Sequence, residues 1–122
     1  MAQSVVLLAK DPKVAQLIAG GLQSHFHAVV VTRSGDELRE KVEKNRPEAV
    51  VFDIEYSRLA EVATLHRDFP SLPIVCTHRI PDEELWMAAL EAGASDVCPA
   101  SDVNDVLTSV LRNMALARTA AA

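Results

Sequence analysis

A single aspartate, Asp53, closes the apolar run Val50-Val51-Phe52 and is followed by Ile54-Glu55. An apolar run entered from the helix-breaking Pro47 is expected to be a strand buried on both faces. Its acid then sits where the strand leaves the core. Ligands and chemistry collect at the carboxyl ends of the strands in an open parallel sheet. Asp53 is therefore a reactive carboxylate at such an edge or a cap for the following helix. Taken alone it reads as a cap, and the rest of the chain decides otherwise.

Other residues carry weaker chemical signals. Asp11 precedes Pro12, as an N-cap does, with proline pre-set for the first helical position. Histidine is the side chain suited to switching at physiological pH, so His78 could act as a switch beside Asp53, but before Arg79 it reads as an exposed loop histidine. His25 and His27 alternate as a metal pair would, yet no third ligand lies near them, and a helix-to-strand turn accounts for both. Cys76 and Cys98 fall in apolar strand-like runs and are expected to be reduced core thiols, nearly touching if their strands are neighbours.

The elements that must position these groups follow from periodicity and punctuation. Ser4 to Ala9 is a buried strand. Val14, Leu17, Ile18 and Leu22 recur at helical spacing through Gln23, with Gly20-Gly21 weakening that helix by roughly 1 kcal/mol each. His27 to Thr32 is the second strand. Ser34 and Glu37 form a capping box for a short charged helix with Leu38 and Val42 inward, ended by Pro47. After the Asp53 strand, Leu59, Val62, Leu65 and Phe69 mark a third helix, and Pro73 to Thr77 a fourth strand. The acid-rich turn Pro81-Asp82-Glu83-Glu84 opens a helix that runs to Ala92 and stops at Gly93, with Met87 and Leu90 on its core stripe and Trp86 off it. Ala94 to Cys98 is a fifth strand. Ser101-Asp102 opens the last helix, with Val103, Val106, Leu107, Val110, Leu111 and Met114 on one face. Residues 1–118 form the domain, and 119–122 read as a fraying tail or linker stump.

This alternation predicts one α/β domain with a parallel sheet covered on both faces. The 122 residues are enough for a core without staples, and 49% hydrophobic with 24% charged is ordinary for a globular protein. A formal charge of −5 with no basic run argues against direct nucleic-acid binding. No apolar run reaches the roughly 18 residues of a membrane span and no signal peptide precedes the first strand, so a cytoplasmic location is expected.

On these residues the chain resembles the receiver domain of bacterial two-component response regulators. Val50-Val51-Phe52-Asp53 looks like the strand ending in that family's phosphoacceptor. Leu90-Glu91-Ala92-Gly93-Ala94-Ser95-Asp96 looks like its turn from helix four into strand five, the most specific local match. Asp11-Pro12 looks like the first loop, and Pro73-Ile74-Val75 like strand four. The resemblance implies a flavodoxin-like (βα)5 doubly wound sheet of order 2-1-3-4-5, and a signalling rather than enzymatic role. Flavodoxins and cobalamin modules are disfavoured, because neither the Ser/Thr-rich phosphate loop nor the Asp-x-His-x-x-Gly pattern occurs.

A receiver surrounds its aspartate with two acids that hold Mg²⁺, a hydroxyl that binds the phosphoryl group, and a lysine that offsets its charge. By alignment the acids fall on Ala9 and Lys10 and the lysine on Ala100. The hydroxyl falls on His78, with Thr77 one residue early, and the aromatic switch residue on Val97. The loop after Asp53 is short and lacks Met-Pro and Gly. The resemblance thus implies an atypical receiver that works by protein interaction, with weak Mg²⁺ binding that could draw only on Asp53 and Asp11. Lys10 is expected to pair with Asp53 in place of the metal, Glu55 sharing the cation. Helix four, strand five and helix five would form a homodimer or partner face, with Leu85 and Trp86 as contacts. One alternative is a conventional receiver phosphorylated on Asp53, with a histidine kinase as partner. A second is a small-ligand domain with its pocket at the strand C-termini.

Overall fold

The five strands are β1 (Ser4–Leu8), β2 (Ala28–Thr32), β3 (Ala49–Asp53), β4 (Ile74–His78) and β5 (Asp96–Pro99). They pair in parallel in the order β2-β1-β3-β4-β5. The helices are α1 (Pro12–Gln23), α2 (Gly35–Asn45), α3 (Leu59–Asp68), α4 (Glu83–Ala92) and α5 (Val103–Ala121). This computed structural model describes residues 3–54, 59–79 and 82–121. Glu55 and the Tyr56-Ser57 stretch lie outside them, as does Pro81.

Strand alternation splits the core in two. Val5, Leu7, Val51, Val75 and Cys98 pack under α1 and α5, against Ile18, Leu22, Val106 and Val110. Val6, Leu8, Val50, Phe52 and Cys76 pack under α2, α3 and α4, against Leu38, Val42, Val62, Leu65 and Ala89. Every residue of β3 is buried, as its unbroken apolar run requires.

The helix starts follow the sequence signals. The Asp11, Ser34 and Asp82 side chains accept from the amides of Lys13, Glu37 and Leu85. Glu37 reaches back to the Arg33 amide at 2.8 Å, one residue earlier than a capping box predicts. Gly93 ends α4 at φ 116, and a Cβ there would strike the His66 imidazole. Arg46 ends α2 at φ 49, a left-handed position that costs a non-glycine residue roughly 1 kcal/mol or more. Gly21 lies where α1 meets α5, and a Cβ would run into Val103; the helix is weakened there so that its neighbour can approach.

Several expectations are corrected. Leu17 and Leu111 are exposed, and Ala15, Ala19 and Ser109 join Ile18, Leu22, Val106, Val110 and Met114 in the buried positions of α1 and α5. Small residues let α1 and α5 lie close to the sheet. The last helix, α5, extends through Ala121, and the Thr119 hydroxyl donates to the Ala115 carbonyl at 3.0 Å. In α4 the inward residues are Leu85, Ala89 and Ala92, whereas Met87 and Leu90 are exposed.

Candidate functional site

Asp53 ends β3 at the sheet's carboxyl edge and is 1% exposed. Leu8 pairs with Phe52, so Ala9, the next residue along, comes level with Asp53 on the β1 side. Thr77 is its partner on the β4 side. Thr77 in turn pairs with Cys98, and the Ala100 amide donates to the His78 carbonyl at 2.8 Å. By alternation Ala9, Asp53, Thr77 and Ala100 share the face under α1 and α5. All four are buried.

The acid therefore leaves the core between the Ala9 methyl and Thr77. Ala9 and Ala100 are methyls at the two positions where the receiver pattern has charge. Thr77 is the hydroxyl beside Asp53: it is fully buried, and its Oγ1 has no hydrogen-bond partner among the described residues. His78, given the hydroxyl position by alignment, follows the parity of Ile74 and Cys76 and belongs to the opposite face. It is half-buried, and its Nδ1 has no hydrogen-bond partner among the described residues. One strand position decides between the two, and the register supplies it.

Lys10 is exposed and forms no ion pair among the described residues, so the expected Lys10–Asp53 pair is not formed. The cation that matters at this edge is Arg79, which sequence reasoning passed over. It follows β4 by one residue, and its guanidinium pairs with Asp11. Asp11 uses one oxygen to cap α1, accepting from the Lys13 amide at 2.8 Å, and the other to accept from Arg79. The signal available in the sequence was position alone: the residue after one parallel strand shares the sheet's carboxyl edge with the cap that opens the helix after another, here with β3 between them.

These residues do not fit Mg²⁺. A hard cation that demands near-octahedral oxygen ligands would find Asp53 and an Asp11 already committed twice. Among the described residues no group of three His, Cys, Asp or Glu side chains could hold a metal ion. His25 and His27 are both exposed on the turn into β2.

The two thiols do not meet. Cys76 pairs with Val97, and Cys98 with Thr77, so the cysteines face opposite sides of the sheet. Both are free. Burial pushes the Cys76 thiol up to about 12, with Cys98 and Asp53 adding to the effect. Burial likewise pushes Cys98 up to about 12, against a hydrogen bond with Ser109 that favours the thiolate.

On α4, Leu85 is partly buried and packs against the core. Trp86 is 41% exposed, and Met87 at 49% and Leu90 at 36% join it on the surface. Among the described residues no helix is long and apolar enough to cross a membrane.

No protein-family model matches the chain, and no curated protein matches it either. Solved structures do. A CheY-like response regulator receiver domain from Methanospirillum hungatei JF-1 superposes with a TM-score of 0.85 at 15% identity, covering 98% of each chain. The N-terminal signal receiver domain of a two-component response regulator from Bacteroides fragilis gives 0.84 at 21% identity, over 93% of this chain and 98% of that one. The BeF3-activated N-terminal receiver domain of Klebsiella pneumoniae RstA gives 0.77 at 29% identity, over 90% of this chain and 96% of that one.

Proposed function

We propose that this chain, which has the fold of response regulator receiver domains, is a receiver-type signalling module whose phosphorylation site is degraded and which acts through protein contact. The observation that carries the reading is that Ala9, level with Asp53 on β1, and Ala100, which follows β5 beyond Thr77, are buried methyls on the face that holds Asp53. Phosphorylation adds about −1.5 to −2 charges at neutral pH. A buried charge of that size needs paired cations or a metal, and neither alanine can supply one. Asp53 is then an inherited carboxylate rather than a working acceptor. Output falls to the surface of α4, β5 and α5, where Trp86 is the anchor for a second copy or another protein.

The test is treatment with acetyl phosphate and Mg²⁺, followed by intact-mass spectrometry. An unmodified mass is expected. A phosphorylated species that disappears in Asp53→Asn would overturn the reading. It would support a conventional receiver served by a histidine kinase, which the Thr77 hydroxyl beside Asp53, without a hydrogen-bond partner among the described residues, favours.

A further inference from the structure

A cavity of about 450 Å³ opens at the amino-terminal edge of the sheet, the end opposite Asp53. Pro47 and Pro73, which lead into β3 and β4, line it with Phe69, Leu72 and Met114. Small-molecule sites occupy roughly 300–1,000 Å³ and are mostly apolar with a few placed polar groups. Prolines at 47, 70 and 73 stiffen the walls, so little ordering is lost when something enters.

The charges around it are unequal in commitment. Asp68 is held by Arg39 and by Arg67, the latter at 3.1 Å. Glu48 faces Arg118 at 3.6 Å. Arg46 also lines the cavity and, among the described residues, forms no ion pair. Its backbone is left-handed at φ 49, in a helix-ending position where glycine or asparagine is the easy solution. A strained residue at the mouth of a cavity points to a use for its side chain.

We propose that this cavity binds a small-molecule carboxylate with an apolar body. The body lies against Phe69, Leu72 and Met114, and the carboxylate takes the Arg46 guanidinium. A planar guanidinium presents two parallel N–H donors to a carboxylate, which selects that head group over an alcohol or an amine.

The test is calorimetric titration of the full chain with decanoate, using decanol and decylammonium as head-group controls, all below their aggregation limits. Decanoate should bind saturably at one site, about tenfold or more tighter than either control. Arg46→Gly relieves the left-handed strain, so its melting temperature should hold or rise while decanoate binding weakens about tenfold and decanol is unaffected. Ala117→Trp, which fills the cavity, should abolish binding of both decanoate and decanol. The proposal is overturned by the absence of saturable decanoate binding, by equal affinity for decanol, or by decanoate affinity that survives Arg46→Gly.

Discussion

Asp11 and Arg79 join the loops that leave β1 and β4, the two strands on either side of β3, so their ion pair straddles the strand that delivers Asp53. The same carboxylate caps α1 through the Lys13 amide. The two roles separate by substitution. Asp11→Asn keeps a capping oxygen and gives up the ion pair, costing less than about 1 kcal/mol because the pair is partly exposed. Asp11→Ala gives up both, costing about 1–2 kcal/mol. Urea denaturation of the two variants checks this, and equal losses would mean that the cap contributes nothing.

Wild-type protein should bind Mg²⁺ no tighter than millimolar, which calorimetry measures directly; micromolar affinity would contradict the reading of the edge. Lys10 offers a second route to the same question. Because it is exposed and forms no ion pair among the described residues, Lys10→Asp should change metal-free stability by no more than about 0.5 kcal/mol. If position 10 corresponds to a receiver's metal ligand, that variant should gain a Mg²⁺-dependent rise in melting temperature that the wild type lacks.

Both cysteines should resist Ellman's reagent at pH 8 in the native state and react after unfolding. The thiolate is the nucleophile, and burial holds both thiols protonated up to about 12. Their unfolded value is about 8.5. Because the folded value is the higher, the native state binds more protons between these limits. The contribution to stability is intact below about pH 8.5 and declines as pH rises from there toward 12. Replacing Cys76 with alanine should flatten part of that alkaline decline in a melting-temperature profile.

The neighbouring glycines of α1 should respond in opposite directions. Gly20 faces open space, so Gly20→Ala should stabilise by up to about 1 kcal/mol through helix propensity. Gly21→Ala would press on Val103 and should destabilise by about 1–3 kcal/mol. Thermal melts of the pair decide it, and stabilisation by both would mean that α5 yields easily.

Trp86 is the single tryptophan of the chain, so its fluorescence reports on α4 alone. At 41% exposure its emission should lie toward the red and shift blue on self-association or partner capture. Trp86→Ala should change stability by less than about 1 kcal/mol while abolishing association. An unchanged oligomeric state and partner capture in that variant would remove α4 as the docking face.

Local chemistry was enough to order the elements and set their ends. Asp11-Pro12, Ser34, Asp82 and Gly93 act on backbone groups within a few residues of themselves, and the short apolar run into Asp53, entered from Pro47, reads as a strand buried on both sides. Together they implied the alternating α/β fold and placed Asp53 at its carboxyl edge. The inward faces of the helices were not legible in the same way. Leu85-Trp86-Met87-Ala88-Ala89-Leu90 is apolar at every position, so periodicity within it selects no stripe, and only the docking of α4 on the second core turned Leu85 and Ala89 inward. Register was equally out of reach. A slip of one residue between β4 and β5 or between β3 and β4 exchanges one face of the sheet for the other. The observed pairing is what separated Cys76 from Cys98 and brought Thr77 rather than His78 beside Asp53. Charge pairing between distant loops was decided last. Lys10 and Arg79 are both cations at the same edge, and the packed sheet, by fixing where each chain segment emerges, gave Asp11 to Arg79.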